Sequence, residues 1–233
     1  MSAIIELKQM TKAYGTNVVL ENIDLEVPEG VIVGLMGPNG CGKTSLMKIL
    51  TGMINDYSGA VHIGGQPVGA YSKSITAYLP DRSYLPAWMN ARQCIHYMAD
   101  FYRDFDKAKA FDMLRAFQLE PGMRVKTMSK GMQEKLLLLL TMCREARLYV
   151  LDEPLGGVDP SARQFIMDTI LNNRPQGSTI LLSTHMIYDM ERVFDYALMI
   201  GKKQVLLFDS VANLEMQGKT LNELFQEVFP YVG

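Results

Sequence analysis

The chain has 233 residues, 48% hydrophobic and 21% charged, the balance of a globular protein with one sizeable domain or one domain carrying an inserted subdomain. A net charge of −2 and an isoelectric point near 5.9 supply no basic field, so no nucleic-acid partner is expected. No apolar stretch is long enough to span a membrane, the longest candidate being Leu136 to Leu140, and no signal-like segment opens the chain; a cytoplasmic protein is expected.

Cys41, Cys94 and Cys143 are odd in number and widely spaced, which suggests neither a disulfide framework nor a zinc site. The 17 methionines read mostly as adaptable core filler.

Residues from Ile4 to Val27 read as antiparallel strands, because Ile23, Leu25 and Val27 alternate with polar neighbours. Pro28-Glu-Gly30 then turns the chain into Val31 to Met36, an apolar run that reads as a buried strand. Gly37-Pro-Asn-Gly-Cys-Gly-Lys-Thr44 follows and fits Gly-x-x-x-x-Gly-Lys-[Ser/Thr] at every fixed position, and Ser45 to Leu50 predicts a helix stopping at Gly52. Glycines let the backbone turn tightly and aim successive N–H groups into a concave anion site, to which the helix adds its partly positive N-terminus. Gly37, Pro38, Asn39, Gly40, Cys41, Gly42, Lys43, Thr44 and Ser45 are therefore candidate phosphate contacts. Lys43 would reach the outer phosphates, and the Thr44 hydroxyl would ligate Mg²⁺. The setting of Cys41 beside a helix N-terminus could lower its thiol pKa and expose it to alkylation, although a small residue that simply fits is the better account of its presence.

A short strand is predicted at Val61 to Ile63, and Tyr78-Leu-Pro80 closes another. From about Leu85 to Arg147 the pattern turns helical. Asp106 can cap a helix bearing Ala110, Phe111, Leu114 and Phe117, which Pro121-Gly122 would end, and a second helix begins near Ser129. Strands return at Leu148 to Leu151 and Thr179 to Leu182, separated by a helical stretch after Pro160, which suits parallel strands joined by a crossover. Tyr196 to Ile200 and Gln204 to Phe208 read as a hairpin, and a short helical tail follows from Val211. The fold class expected is α/β: a phosphate-loop core with a mostly parallel sheet, an N-terminal antiparallel β subdomain and an inserted α-helical subdomain. Residues 1–84 and 148–210 would form the nucleotide-binding core, 85–147 the helical subdomain and 211–233 the tail.

Leu148-Tyr-Val-Leu-Asp-Glu153 is an apolar strand ending in two carboxylates, and strand ends of α/β sheets face the ligand crevice. Asp152 would hold Mg²⁺, and Glu153 would orient or deprotonate the attacking water. His185, ending the next apolar strand, would reach the terminal phosphate as a donor.

The order of phosphate loop, Met128-Ser-Lys-Gly-Met-Gln133, Leu-Asp-Glu-Pro154, Gly157-Val-Asp-Pro160 and Ser-Thr-His185 resembles the ATP-binding subunit of ABC transporters over Ile4 to Phe208. The decisive piece is the signature at Ser129 to Gly131. The resemblance implies an ATPase that uses ATP and Mg²⁺. It places Tyr14 on the adenine, Ser129 and Gly131 on the γ-phosphate held by a second subunit, and Asp159 at the dimer seam.

Three departures stand out. The signature carries Lys130 and Met132, a form that resembles ABC-2-type exporter subunits; Lys130 is either a charge at the ATP seam or a solvated residue. Asp81 stands where glutamine is usual, which shortens its reach towards Mg²⁺. Gly156 replaces a more usual serine. The implied partners are a second ATPase subunit and an integral membrane permease of ABC-2 type, holding the chain on the inner face of the membrane. Tyr84, Leu85, Trp88 and Met89 either line the groove that receives the permease or belong to ordinary packing. A soluble ABC ATPase of translation or DNA maintenance is the alternative, and the signature argues against a phosphate-loop kinase or GTPase.

Overall fold

Alternating apolar residues at the start of the chain form β1 (Ala3–Tyr14) and β2 (Asn17–Pro28), which pair antiparallel in a computed structural model describing residues 2–156, 160–186 and 190–230. With β4 (Ser58–Ile63) and β5 (Gln66–Pro67) they complete a four-stranded antiparallel sheet ordered β2-β1-β4-β5.

The second sheet comprises β3 (Ile32–Met36), β6 (Thr76–Leu79), β7 (Leu148–Asp152), β8 (Thr179–Ser183), β9 (Tyr196–Gly201) and β10 (Gln204–Ser210), ordered β10-β9-β3-β8-β7-β6. All of its pairings are parallel except that of β9 with β10. β3, β7 and β8 are buried along their whole length, which is why they read as continuous apolar runs rather than alternations. Gly34 is required in β3, because a Cβ there would stand 2.6 Å from the Phe194 ring that packs on the sheet.

The helices between β6 and β7 are α3 (Ala91–Phe101), α4 (Lys107–Ala116) and α5 (Lys130–Met142). Each begins at a side-chain cap: Asn90 Oδ1 accepts from Gln93 N at 2.8 Å, Asp106 Oδ1 from Lys109 N at 2.9 Å and Ser129 Oγ from Met132 N at 3.3 Å. α4 stops short of Pro121-Gly122. Gln118 takes a left-handed conformation (φ 57°), and the Gln118 and Leu119 N–H groups close onto the Arg115 and Leu114 carbonyls. This backbone closure leaves no signal in composition. A short helix α2 (Ala70–Ser74) was also not predicted; it spans too few residues to show a periodicity.

Leu136 to Leu140 are buried on every side of α5, so this helix forms the centre of the helical region rather than its surface. Arg144, 2% exposed, ties that region to the core. Its Nε donates to both Asp104 carboxylate oxygens at 2.8 and 2.9 Å, Nη2 to Ser74 O at 2.8 Å, and the guanidinium lies 3.7 Å from the Tyr102 ring centroid. A buried guanidinium is tolerated only with this degree of pairing.

α6 (Pro160–Asn173) makes the crossover from β7 to β8, and α1 (Lys43–Leu50) follows the phosphate loop. α7 (Val211–Met216) and α8 (Leu221–Val228) form the tail, with the Leu221 N–H bound by Glu191 Oε1 at 2.5 Å. Among the described residues no helix is long and apolar enough to cross a membrane.

Candidate functional site

Strand register brings the site together. In the parallel sheet Leu35 lies opposite Ser183, and Ser183 lies opposite Asp152, so β3, β8 and β7 end in one layer. Whatever follows those ends faces the same crevice. From β3 that is the phosphate loop, from β7 Glu153, and from β8 His185.

A cavity of about 600 Å³ opens there, lined by Asn39, Gly40, Gly42, Lys43, Thr44 and Ser45 of the loop and by Asp81, Asp152, Glu153 and His185. Val19 and Gly156, neither singled out from the sequence as a contact, also line it. Gly37 has φ 154°, and a Cβ on it would stand 2.2 Å from Ile200 O, so the loop leaves the sheet by a path open only to glycine. Lys43 is buried, its Nζ donating to Gly37 O at 2.7 Å and Pro38 O at 3.3 Å. The loop thus holds its own cation at the anion site.

Asp152 is 2% exposed. Its Oδ1 accepts from Ser183 Oγ at 2.8 Å, while Oδ2 is buried with no hydrogen-bond partner among the described residues. An unpaired buried carboxylate oxygen is costly, and here it lies on a cavity that also exposes the Thr44 hydroxyl. Hydroxyl and carboxylate oxygens are the donors a hard divalent cation takes, so these residues fit Mg²⁺. The Asp152 charge also acts on Tyr78, whose phenol is pushed well up by burial first and then by the Asp152 and Asp81 carboxylates.

Glu153 follows with φ 51°, a left-handed conformation that non-glycine residues rarely adopt. Its N–H donates to Ser183 Oγ at 2.9 Å, and its carbonyl accepts from Gly156 N at 2.8 Å. This turn aims Oε2 at His185, whose Nδ1 lies 2.8 Å away. A carboxylate only accepts, so the pair requires the proton on Nδ1. Ser183 was missed as a functional residue. Its one sequence signal is a polar side chain ending the apolar strand Leu181-Leu-Ser183.

The other candidates fall in different places. Tyr14 is half exposed, shares a hydrogen bond with Ser45 at 3.2 Å and lies 4.4 Å above the Lys12 ammonium. Ser129 and Gly131 do not line the cavity around the loop of their own chain, and a Cβ on Gly131 would meet nothing within 4 Å. Lys130 is exposed and pairs with Glu134 at 3.6 Å. Asp159 lies outside the described residues.

Cys41 corrects an expectation. Its thiol pKa is raised rather than lowered, because partial burial against the apolar core shared by the two sheets and α1 outweighs the Lys43 charge. The helix N-terminus acts on the loop backbone, whereas this side chain does not line the cavity and packs, partly buried, against the core.

A larger cavity, about 910 Å³, runs from Thr44 and Asp81 past Arg82 to Tyr84, Tyr97, Phe101 and Tyr102. Of the four residues expected at a docking groove, Tyr84 lines it and Met89 is buried in the helical core. Leu85 packs against that core, and Trp88 stands 65% exposed.

The model of the ABC transporter family matches residues 20–156, more than half of the chain. The chain belongs to the ABC transporter family. Among its relatives are a Nod factor export ATP-binding protein of Cupriavidus metallidurans, 31% identical over 87% of this chain and 70% of that one, and a lantibiotic transport ATP-binding protein of Streptococcus pyogenes, 27% identical over 91% and 94%. A solved structure described as the ATP-binding subunit of an ABC transporter superposes with a TM-score of 0.87 at 27% identity, covering 97% of this chain and 99% of that one. The chain is thus an ATP-binding subunit with the ATPase fold of ABC transporters, and the α/β class expected from its sequence is the class observed.

Proposed function

We propose that this ABC ATPase dimerises around two ATP molecules and powers export through a separate ABC-2-type membrane permease, which holds it on the inner face of the membrane. The observation carrying the reading is the layout of charge. Asp152, Glu153 and His185 converge with Lys43 and Thr44 on one cavity, while Ser129 and Gly131 stand open elsewhere on the surface. A triphosphate in that cavity would have its second half of hydrogen-bond donors supplied by the signature of a partner copy.

Within the cavity, phosphate oxygens would draw Lys43 Nζ from its two loop carbonyls. Asp152 Oδ2 and the Thr44 hydroxyl would hold Mg²⁺, with Asp81 on the same wall as a further oxygen donor. The cation supplies neutralisation of the charge that builds on the phosphates. Glu153 would orient the attacking water and accept its proton, and His185 holds the Glu153 carboxylate in place through Nδ1. For His185 Nε2 also to donate to a phosphate, the ring must carry both protons. Tyr14 would stack on the base.

Export is supported by the Nod factor export relative and by the Lys130 and Met132 form of the signature, and a separate transport partner by the lantibiotic transport relative. The division into core (1–84 and 148–210), helical subdomain (85–147) and tail (211–233) is part of the same reading, as is a permease seated on the groove lined by Tyr84, Tyr97 and Phe101.

Glu153→Gln tests the engine. Turnover should fall about 100-fold or more with ATP affinity kept, and light scattering should show a dimer that persists in ATP. A variant that hydrolyses normally, or that binds ATP and stays monomeric, overturns the reading.

A further inference from the structure

Lys12 is 2% exposed and belongs to no step described above. It lies two positions before Tyr14 on β1, and the contact between its ammonium and the Tyr14 ring shows that the two side chains meet. Its ammonium donates to Asp56 O at 2.7 Å and to Asp56 Oδ2 at 3.1 Å, and stands 4.4 Å from the centre of the Tyr14 ring. Burying a lysine charge is costly, and Asp56 compensates it poorly, because that carboxylate side chain is 96% exposed and shielded by water.

We propose that Lys12 is a positioning residue of the nucleotide base site: from below, its buried ammonium fixes the Tyr14 ring and polarises it, so that the exposed upper face receives the base. The proposal rests on the reading of Tyr14 as the base contact. Two contacts define the ring, Lys12 under one face and Ser45 at the hydroxyl, and about half of the residue stays exposed. A cation under one face draws π density towards itself, which lowers the repulsion an electron-rich purine meets on the other. It also restricts the side chain before binding, so less rotational freedom is lost when the base arrives. The bond to Ser45, next to Thr44, sets the ring at a fixed offset from the phosphate site. Base and phosphate contacts are thereby presented as one surface.

The test compares ATP with inorganic tripolyphosphate, each with Mg²⁺, by calorimetry on the full chain. Lys12→Met should weaken ATP roughly three- to tenfold and leave tripolyphosphate within about twofold. Lys12→Arg should restore most of the loss. In a Tyr14→Leu background Lys12→Met should have no further effect. Lys12→Gln, which keeps a polar group towards Asp56, repeats the measurement should the methionine variant fail to fold.

Equal weakening of ATP and tripolyphosphate would assign Lys12 to the fold or to the phosphates, against the proposal. So would unchanged ATP binding in a chain where Tyr14→Leu weakens it. If Tyr14→Leu itself leaves ATP binding unchanged, the base-site reading fails first and the role of Lys12 falls with it.

Discussion

Ser183→Ala removes one oxygen from the middle of the site. That hydroxyl donates to Asp152 Oδ1 at 2.8 Å and accepts from the Glu153 N–H at 2.9 Å, in a side chain with no exposure. The bond to an ionised carboxylate contributes about 1.5–3 kcal/mol and the amide bond about 0.5–1.5 kcal/mol, so the pair contributes about 3 kcal/mol. For a domain of this size each kcal/mol moves the melting temperature by about 2–4 °C, which predicts a fall of about 6–12 °C without nucleotide. The same loss frees Asp152 to rotate, and supporting residues of this kind change metal affinity about 10- to 100-fold. A Mg²⁺ titration of ATP turnover should shift to higher concentration by that factor, with Ser183→Cys, a weak donor, falling between. Should Ser183→Ala melt within about 2 °C of the parent and keep its Mg²⁺ requirement, Ser183 does not hold the pair of carboxylates.

Two further outcomes follow from the loop. Gly37→Ala places a methyl 2.2 Å from a sheet carbonyl at a φ that alanine avoids, so ATP binding should weaken at least about tenfold with a lower melting temperature; parental affinity would contradict the path of the loop. Burial disfavours the Cys41 thiolate, so its alkylation should rise with pH through a midpoint above that of a free cysteine thiol; a midpoint at or below the free thiol's would refute the inward placement of this side chain.

The sequence by itself determined what depends on neighbours along the chain. The glycine positions from Gly37 to Gly42, the apolar runs into Met36 and Asp152, the cap at Asp106 and the helix start near Ser129 are local, because backbone conformation and strand or helix period are set within a few residues. The class of the fold followed from the same signals. Where a boundary rested on a backbone turn, as at Gln118, the pattern misled, since a left-handed residue of ordinary type carries no mark in the sequence.

Only the tertiary structure decided which side chains meet. The insertion of β8 between β3 and β7 brings Ser183 onto Asp152 and His185 onto Glu153, contacts between residues 31 and 32 positions apart. Arg144 reaches Ser74, and Lys12 reaches Asp56, across similar or greater separations. Strand order is settled by packing of the whole sheet, and no short window of residues contains it. Cys41 makes the same point: the loop that carries it is legible, but the direction of its side chain, and hence the sign of its pKa shift, belongs to the core it packs against.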